Sequence, residues 1–165
     1  MQVLEGRLVV DDLDAFVAEL GEVADGHDVT IQAFDARYVA GRRHLERAVD
    51  CADRAIGRGE NVARDRAVEI LLYAAGRRQI DRALEMGVSE GEPYVVVLID
   101  GDGDEARAAE AVEARFEFEN GSTLEPTDEE TLCSFFEITD AERAATAATL
   151  EELVCERVAL LEVEK

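Results

Sequence analysis

Tyr94-Val95-Val96-Val97-Leu98-Ile99, running into Asp100-Gly101-Asp102-Gly103-Asp104, is the stretch that decides the fold. Six apolar residues, four of them β-branched, closed by a glycine-rich turn, predict a short strand buried on both faces. Such a strand needs partners at its edges and other elements over its faces. Working outward, residues 3–10 place Leu4, Leu8 and Val10 on one side and Glu5, Arg7 and Val9 on the other, a strand pattern. Val29 to Phe34 reads as a second strand. Downstream, an acidic helix of about 104–114 precedes Phe116-Glu117-Phe118, an edge strand or loop.

The remaining segments carry helical spacing. Asp11 or Asp12 caps a helix with Leu13, Phe16, Val17 and Leu20, ended near Gly26. A long amphipathic helix over about 36–57 buries Val39, Leu45, Ala48, Ala52, Ala55 and Ile56 and stops at Gly57 and Gly59. Residues 62–75 are apolar nearly all round, the mark of a buried helix. After Gly76, Ile80, Ala83 and Leu84 mark a short helix ending at Gly87. Thr127-x-x-Glu130 and Thr149-x-x-Glu152 both match the capping box, and Leu150, Leu153, Val154 and Arg157 line one face of the last helix. The run Val158–Val163 either continues that helix or forms a strand beside residues 3–10; the strand is the favoured reading. These elements predict an α/β (α+β) fold: a single domain over residues 1–165 with a small mixed β-sheet packed against several α-helices.

Composition narrows the class. Apolar residues make up 47% of the chain, enough for a core, but aromatics are 5% and Trp is absent. The net charge is −22, and Lys165 is the sole lysine. Such an excess of acid reads as a solvated coat suited to molar salt, where screening is short-ranged. Cys51, Cys133 and Cys155 lie among apolar neighbours with no C-x-x-C pair, so they read as free thiols. With His27 and His44 they match no familiar zinc spacing. No secretory leader and no apolar run near ~18 residues is evident, so a soluble, reduced, cytoplasmic protein is expected.

Two features invite a chemical reading. Asp100, Asp102 and Asp104 alternate directly after the buried strand. Three carboxylates so spaced suit a divalent cation, or a phosphate-processing enzyme with Asp100 as nucleophile and Asp102 as acid/base. The EF-hand pattern fails, because its sixth and twelfth positions fall on Glu105 and Ala111. The plainer reading is a turn whose Asp104 caps the next helix. The second feature is arginine. Residues 37–82 hold 11 arginines against seven acids, so they carry +4 while the rest of the chain carries −26. Arg43, Arg47, Arg54 and Arg58 share one helix face, either an ion-paired surface or a phosphate-binding patch. Arg77-Arg78-Gln79, after Gly76, offers guanidinium forks and an amide at a helix break.

The same region carries a resemblance. Gln32-Ala-Phe-Asp-Ala36, Gly41-x-x-His44-Leu45 with Ala48, and Glu69-Ile-Leu-Leu-Tyr-Ala-Ala-Gly-Arg-Arg-Gln-Ile80 with Ala83 resemble the PRPK-binding-protein family, the small kinase-binding subunit of the KEOPS complex. The ending Glu156-Arg157-Val-Ala-Leu-Leu-Glu-Val163 is similar to that family's ending. Arg77 departs from the glutamine common there. The resemblance implies a non-catalytic role without a cofactor. Such a subunit binds and stimulates an atypical small kinase/ATPase, meets other KEOPS subunits indirectly, and helps recruit tRNA through its 3′ CCA end. The complex makes N6-threonylcarbamoyladenosine at tRNA position 37. Mapped here, tRNA contacts fall to Arg77, Arg78 and Gln79, with Arg42 and Arg43 nearby and Tyr73 as a stacking candidate. His44 reads as a core histidine before an RNA contact. Kinase contacts fall to Leu150, Leu153, Val154 and Val158, with Ile70 or Leu71 as further candidates; core packing is the competing reading for each.

Overall fold

The computed structural model describes residues 1–164; the expected domain end, Lys165, lies outside them. In chain order the elements begin with β1 (Gln2–Arg7), α1 (Leu13–His27), β2 (Thr30–Asp35), α2 (Arg42–Arg58), α3 (Arg66–Ala75) and α4 (Ile80–Ala83). There follow β3 (Tyr94–Asp100), α5 (Glu105–Arg115), β4 (Glu119–Asn120), α6 (Glu129–Phe135), α7 (Asp140–Ala144) and α8 (Leu150–Glu164). They fall into two compact units: Met1–Ala36 with Gly87–Glu125, and Arg37–Met86 with the chain from Pro126 onward.

The first unit holds the sheet, in the order β2-β3-β1-β4. The central strand is β3, the apolar run from which the fold was read, and Val95 to Ile99 are fully buried. The α+β class holds, but the sheet is antiparallel throughout rather than mixed. Its cause is topological. β1, α1 and β2 form a β-α-β unit split by β3, which lies between the two parallel-running strands and opposes both. Phe16, Leu20 and Val23 of α1 and Ala108 and Val112 of α5 pack with Val95, Val97 and Ile99 on one face of the sheet.

The second unit is helical. α3 is the buried helix expected, with every residue from Glu69 to Ala75 inaccessible, and α2 packs against both α3 and α8. The Thr149 box forms: its Oγ1 accepts from the Glu152 N–H at 3.2 Å. The Thr127 box does not. Asp128 is the N-cap of α6 and accepts from the Thr131 N–H, because a carboxylate one residue later reaches the same orphan amides. α2 starts at Arg42 rather than near residue 36, after a 3-10 turn over Ala36–Tyr38. Residues 158–163 are helical, not a strand: Val158 and Leu161 continue the buried stripe of Leu150, Leu153 and Val154.

Candidate functional site

The arginine-bearing face of α2 divides in two. Toward its C-terminus, Arg54 grips Glu162 of α8 bidentately, with Nε to Oε1 at 2.9 Å and Nη2 to Oε2 at 3.0 Å. Arg58 adds a longer contact to the same carboxylate at 3.7 Å. The Arg54 guanidinium holds the Glu162 carboxyl below the usual carboxylate range. Arg66 likewise grips Asp53 at 2.8 and 2.9 Å. These arginines join helices. Toward the N-terminus, Arg43 and Arg47 line an open groove of about 610 Å³ between α2 and α8, whose other lining groups include Glu151, Glu152, Cys155 and Glu156. Exposed Arg42 donates to Glu46 at 3.1 Å.

α3 ends at Gly76, whose φ of 62° is left-handed. That turn sends Arg77 back against α6, where its Nη2 donates to the Phe135 carbonyl and its guanidinium lies 5.0 Å from the Phe135 ring centroid. Arg77 is thereby half-buried, while Arg78 and Gln79 are exposed just before α4. Arg77 and Arg82 line a groove of about 420 Å³ with Tyr38, Thr131, Ser134, Phe135 and three glutamates. Tyr38 meets Phe135 edge-on, the ring centroids 5.1 Å apart. Tyr38 is half-buried there and Phe135 is buried. Tyr73, the stacking candidate of the sequence, is fully buried. Nothing in the local sequence marks Phe135, because its role depends on Arg77 arriving from 58 residues away.

His44 joins the two predicted RNA-binding segments. Its Nδ1 accepts from the Ala40 N–H at 3.1 Å and its Nε2 donates to the Ala74 carbonyl at 2.7 Å. Those partners demand the neutral tautomer protonated on Nε2, and burial pushes the pKa down to about 4. The bond ties the first turn of α2, carrying Arg42 and Arg43, to the last turn of α3, after which Arg77, Arg78 and Gln79 follow. His44 is thus a core histidine.

The four predicted kinase contacts on α8 are all interior. Leu150, Leu153, Val154 and Val158 are buried, as are Ile70 and Leu71 of α3. Their side chains hold the helical unit together. Among the described residues of this unit, the exposed large apolar side chains are Ile56, Val62, Ile80, Leu84, Leu160 and Val163.

In the sheet-bearing unit the Asp100–Asp104 loop has structural tasks for most of its parts. Asp100 and Glu105 pair with the Met1 ammonium at 3.4 and 3.1 Å. Asp104 caps α5 by accepting from the Arg107 N–H at 3.0 Å. The Gly103 N–H donates to the Asp28 carbonyl at 2.9 Å, and a Cβ on Gly103 would collide with the His27 carbonyl oxygen. The glycines let the loop lie flat on the turn after α1, which accounts for them without a ligand. Among the described residues no cluster of three or more His, Cys, Asp or Glu side chains is arranged to hold a metal ion. The three cysteines are free. Burial pushes the Cys51 and Cys155 thiols up, away from the thiolate that nucleophilic chemistry requires. No helix among the described residues is long and apolar enough to cross a membrane.

No curated protein matches the chain in sequence. The family profile described as Kinase binding protein CGI-121 matches residues 12–162. It spans β2, the arginine-rich segment, the Asp100–Asp104 loop and nearly all of α8 in one alignment, and thus draws on both compact units. The chain belongs to the CGI-121 family of kinase-binding proteins.

Proposed function

We propose that this protein is the small non-catalytic subunit of a KEOPS complex, acting as one domain in the cytoplasm. It binds and stimulates an atypical small kinase/ATPase and helps bring tRNA, by its 3′ CCA end, to the machinery that makes N6-threonylcarbamoyladenosine at position 37. The observation that carries this reading is the kinase-binding family match over residues 12–162. Two structural features support it. In the Asp100–Asp104 loop, Asp100 and Asp104 have pairing and capping roles, which favours this reading over a divalent-metal-dependent phosphate-processing enzyme. The +4 segment of a −22 chain offers the one stretch where an anionic RNA meets less repulsion.

Within that segment Arg78 and Gln79 are the tRNA contacts best placed for solvent, with Arg42 and Arg43 at the adjoining helix start. Arg77 serves chiefly as the arm that fixes α6, with one edge in the Tyr38–Phe135 groove. The test is tRNA binding by the Arg78→Glu/Gln79→Ala double variant, which spares the Arg77–Phe135 contact and so keeps the fold. Affinity for tRNA bearing its 3′ CCA is expected to drop at least tenfold with melting temperature unchanged. Unaltered affinity would refute the assignment.

A further inference from the structure

We propose that the loop of residues 59–65, between α2 and α3, is the docking element for the kinase, with buried Glu69 as its positioning residue. This inference rests on the function proposed above and says which surface serves it. Glu69 lies in the first turn of α3 and is fully buried. Its Oε1 accepts from the Val62 and Ala63 N–H groups at 3.1 and 3.0 Å, and its Oε2 accepts from Val62 at 3.3 Å. A carboxylate taken out of water costs more than an apolar residue in the same place. What Glu69 gains is a fixed loop. Asn61 reinforces it, donating to the Ala63 carbonyl at 2.8 Å, and Ala63 itself is buried.

Between these anchors Val62 faces outward and is 47% exposed. Ile56, on the last turn of α2, is 38% exposed. Arg64 is exposed and makes no ion pair among the described residues, while Arg58 has only its 3.7 Å contact to Glu162. A rigid loop that holds an aliphatic side chain in water is preorganised for a protein surface, because little ordering entropy remains to be lost on binding. Aliphatic groups offer an RNA neither a stacking face nor a hydrogen bond, so the exposed pair favours protein. Charge chooses the orientation. A partner with a carboxylate-rimmed apolar pocket is repelled by the −26 remainder of the chain and accepted at the arginine-bearing segment. The loop shares no residue with the tRNA contacts Arg78 and Gln79 proposed above.

The experiment is calorimetric titration of the full chain with the purified kinase, at a salt concentration where both are folded. The Val62→Asp/Arg64→Glu double variant should bind at least tenfold more weakly, with its melting temperature unchanged and a much smaller loss of tRNA affinity. Glu69→Gln keeps Oε1 as acceptor for both amides and should bind like wild type. Glu69→Ala should weaken binding and accelerate amide exchange at Val62 and Ala63. Wild-type kinase affinity in the double variant overturns the proposal, as does a loss confined to tRNA. If Glu69→Ala does not fold, the double variant still decides. Wild-type protein that binds no kinase defeats the function proposed above, and not merely this surface.

Discussion

His44 is the residue whose environment has the clearest consequence in solution. Held neutral between Ala40 and Ala74, it has a pKa of about 4 in the fold against 6.5 when unfolded. Between those values the unfolded chain binds a proton that the native state refuses, so stability is complete above pH 6.5 and falls as the solution is acidified toward pH 4. The loss amounts to about 3 kcal/mol, at 1.36 kcal/mol for each pH unit. Melting curves from pH 7 to 4 should show this decline, and a His44→Gln variant should be less stable at pH 7 but flatter over that range. An equal slope in both proteins would mean that His44 does not report the linkage. The Glu142 and Glu162 carboxylates, depressed by Arg157 and Arg54, add their own loss only as the pH falls through 4.5 and below. Residue identity alone made His44 a core histidine; its bond to Ala74, 30 residues away, required the fold.

At the scale of elements, α8 separates what the sequence could tell from what it could not. Its apolar spacing at Leu150, Leu153 and Val154 predicted a helix face correctly. Val158–Val163 is a short apolar run, and such runs satisfy strand and helix patterns alike until a partner is known. Here α2 is that partner, and it extends the helical stripe through Val158 and Leu161. The same ambiguity made buried leucines resemble a docking face. Leu153→Ala should therefore cost about 2–5 kcal/mol of stability, the penalty of a core cavity. Thermal unfolding measures this, and a folded, wild-type-stable Leu153→Ala protein with lost kinase binding would return Leu153 to the interface. β3 was legible because burial on both faces leaves a continuous apolar signature. The antiparallel order was not, because β1, α1 and β2 look identical in sequence whether or not a third strand is inserted between them. Capping boxes were legible to within a residue: Thr149 was found, and Asp128 displaced Thr127.

For the molecule as a whole, a charge of −22 sets the conditions under which any site works. Only part of the acid is paired. Asp53, Glu142 and Glu162, and at more exposed sites Glu22, Glu46, Glu92, Asp104 and Glu129, meet arginines, and the greater number of carboxylates are exposed and repel one another. Screening shortens that repulsion to about 3 Å at 1 M salt. Melting temperature should therefore climb as KCl rises from 0.1 M to 2 M, and a flat or falling profile would deny the acidic coat its role. The site follows the same logic. The Asp100–Asp104 motif was conspicuous in sequence and caps α5 and packs on the turn after α1, whereas Glu69, an inconspicuous acid, organises the loop that faces outward. Motif salience reports composition, and site geometry depends on which backbone a side chain reaches. Kinase binding is the property on which the proposed function turns. It is tested most directly by titrating the full chain into the purified atypical kinase in 2 M KCl. A saturable one-to-one complex, with kinase ATP turnover raised on saturation, is the result predicted. Two folded proteins that show neither heat of binding nor change in turnover would contradict it.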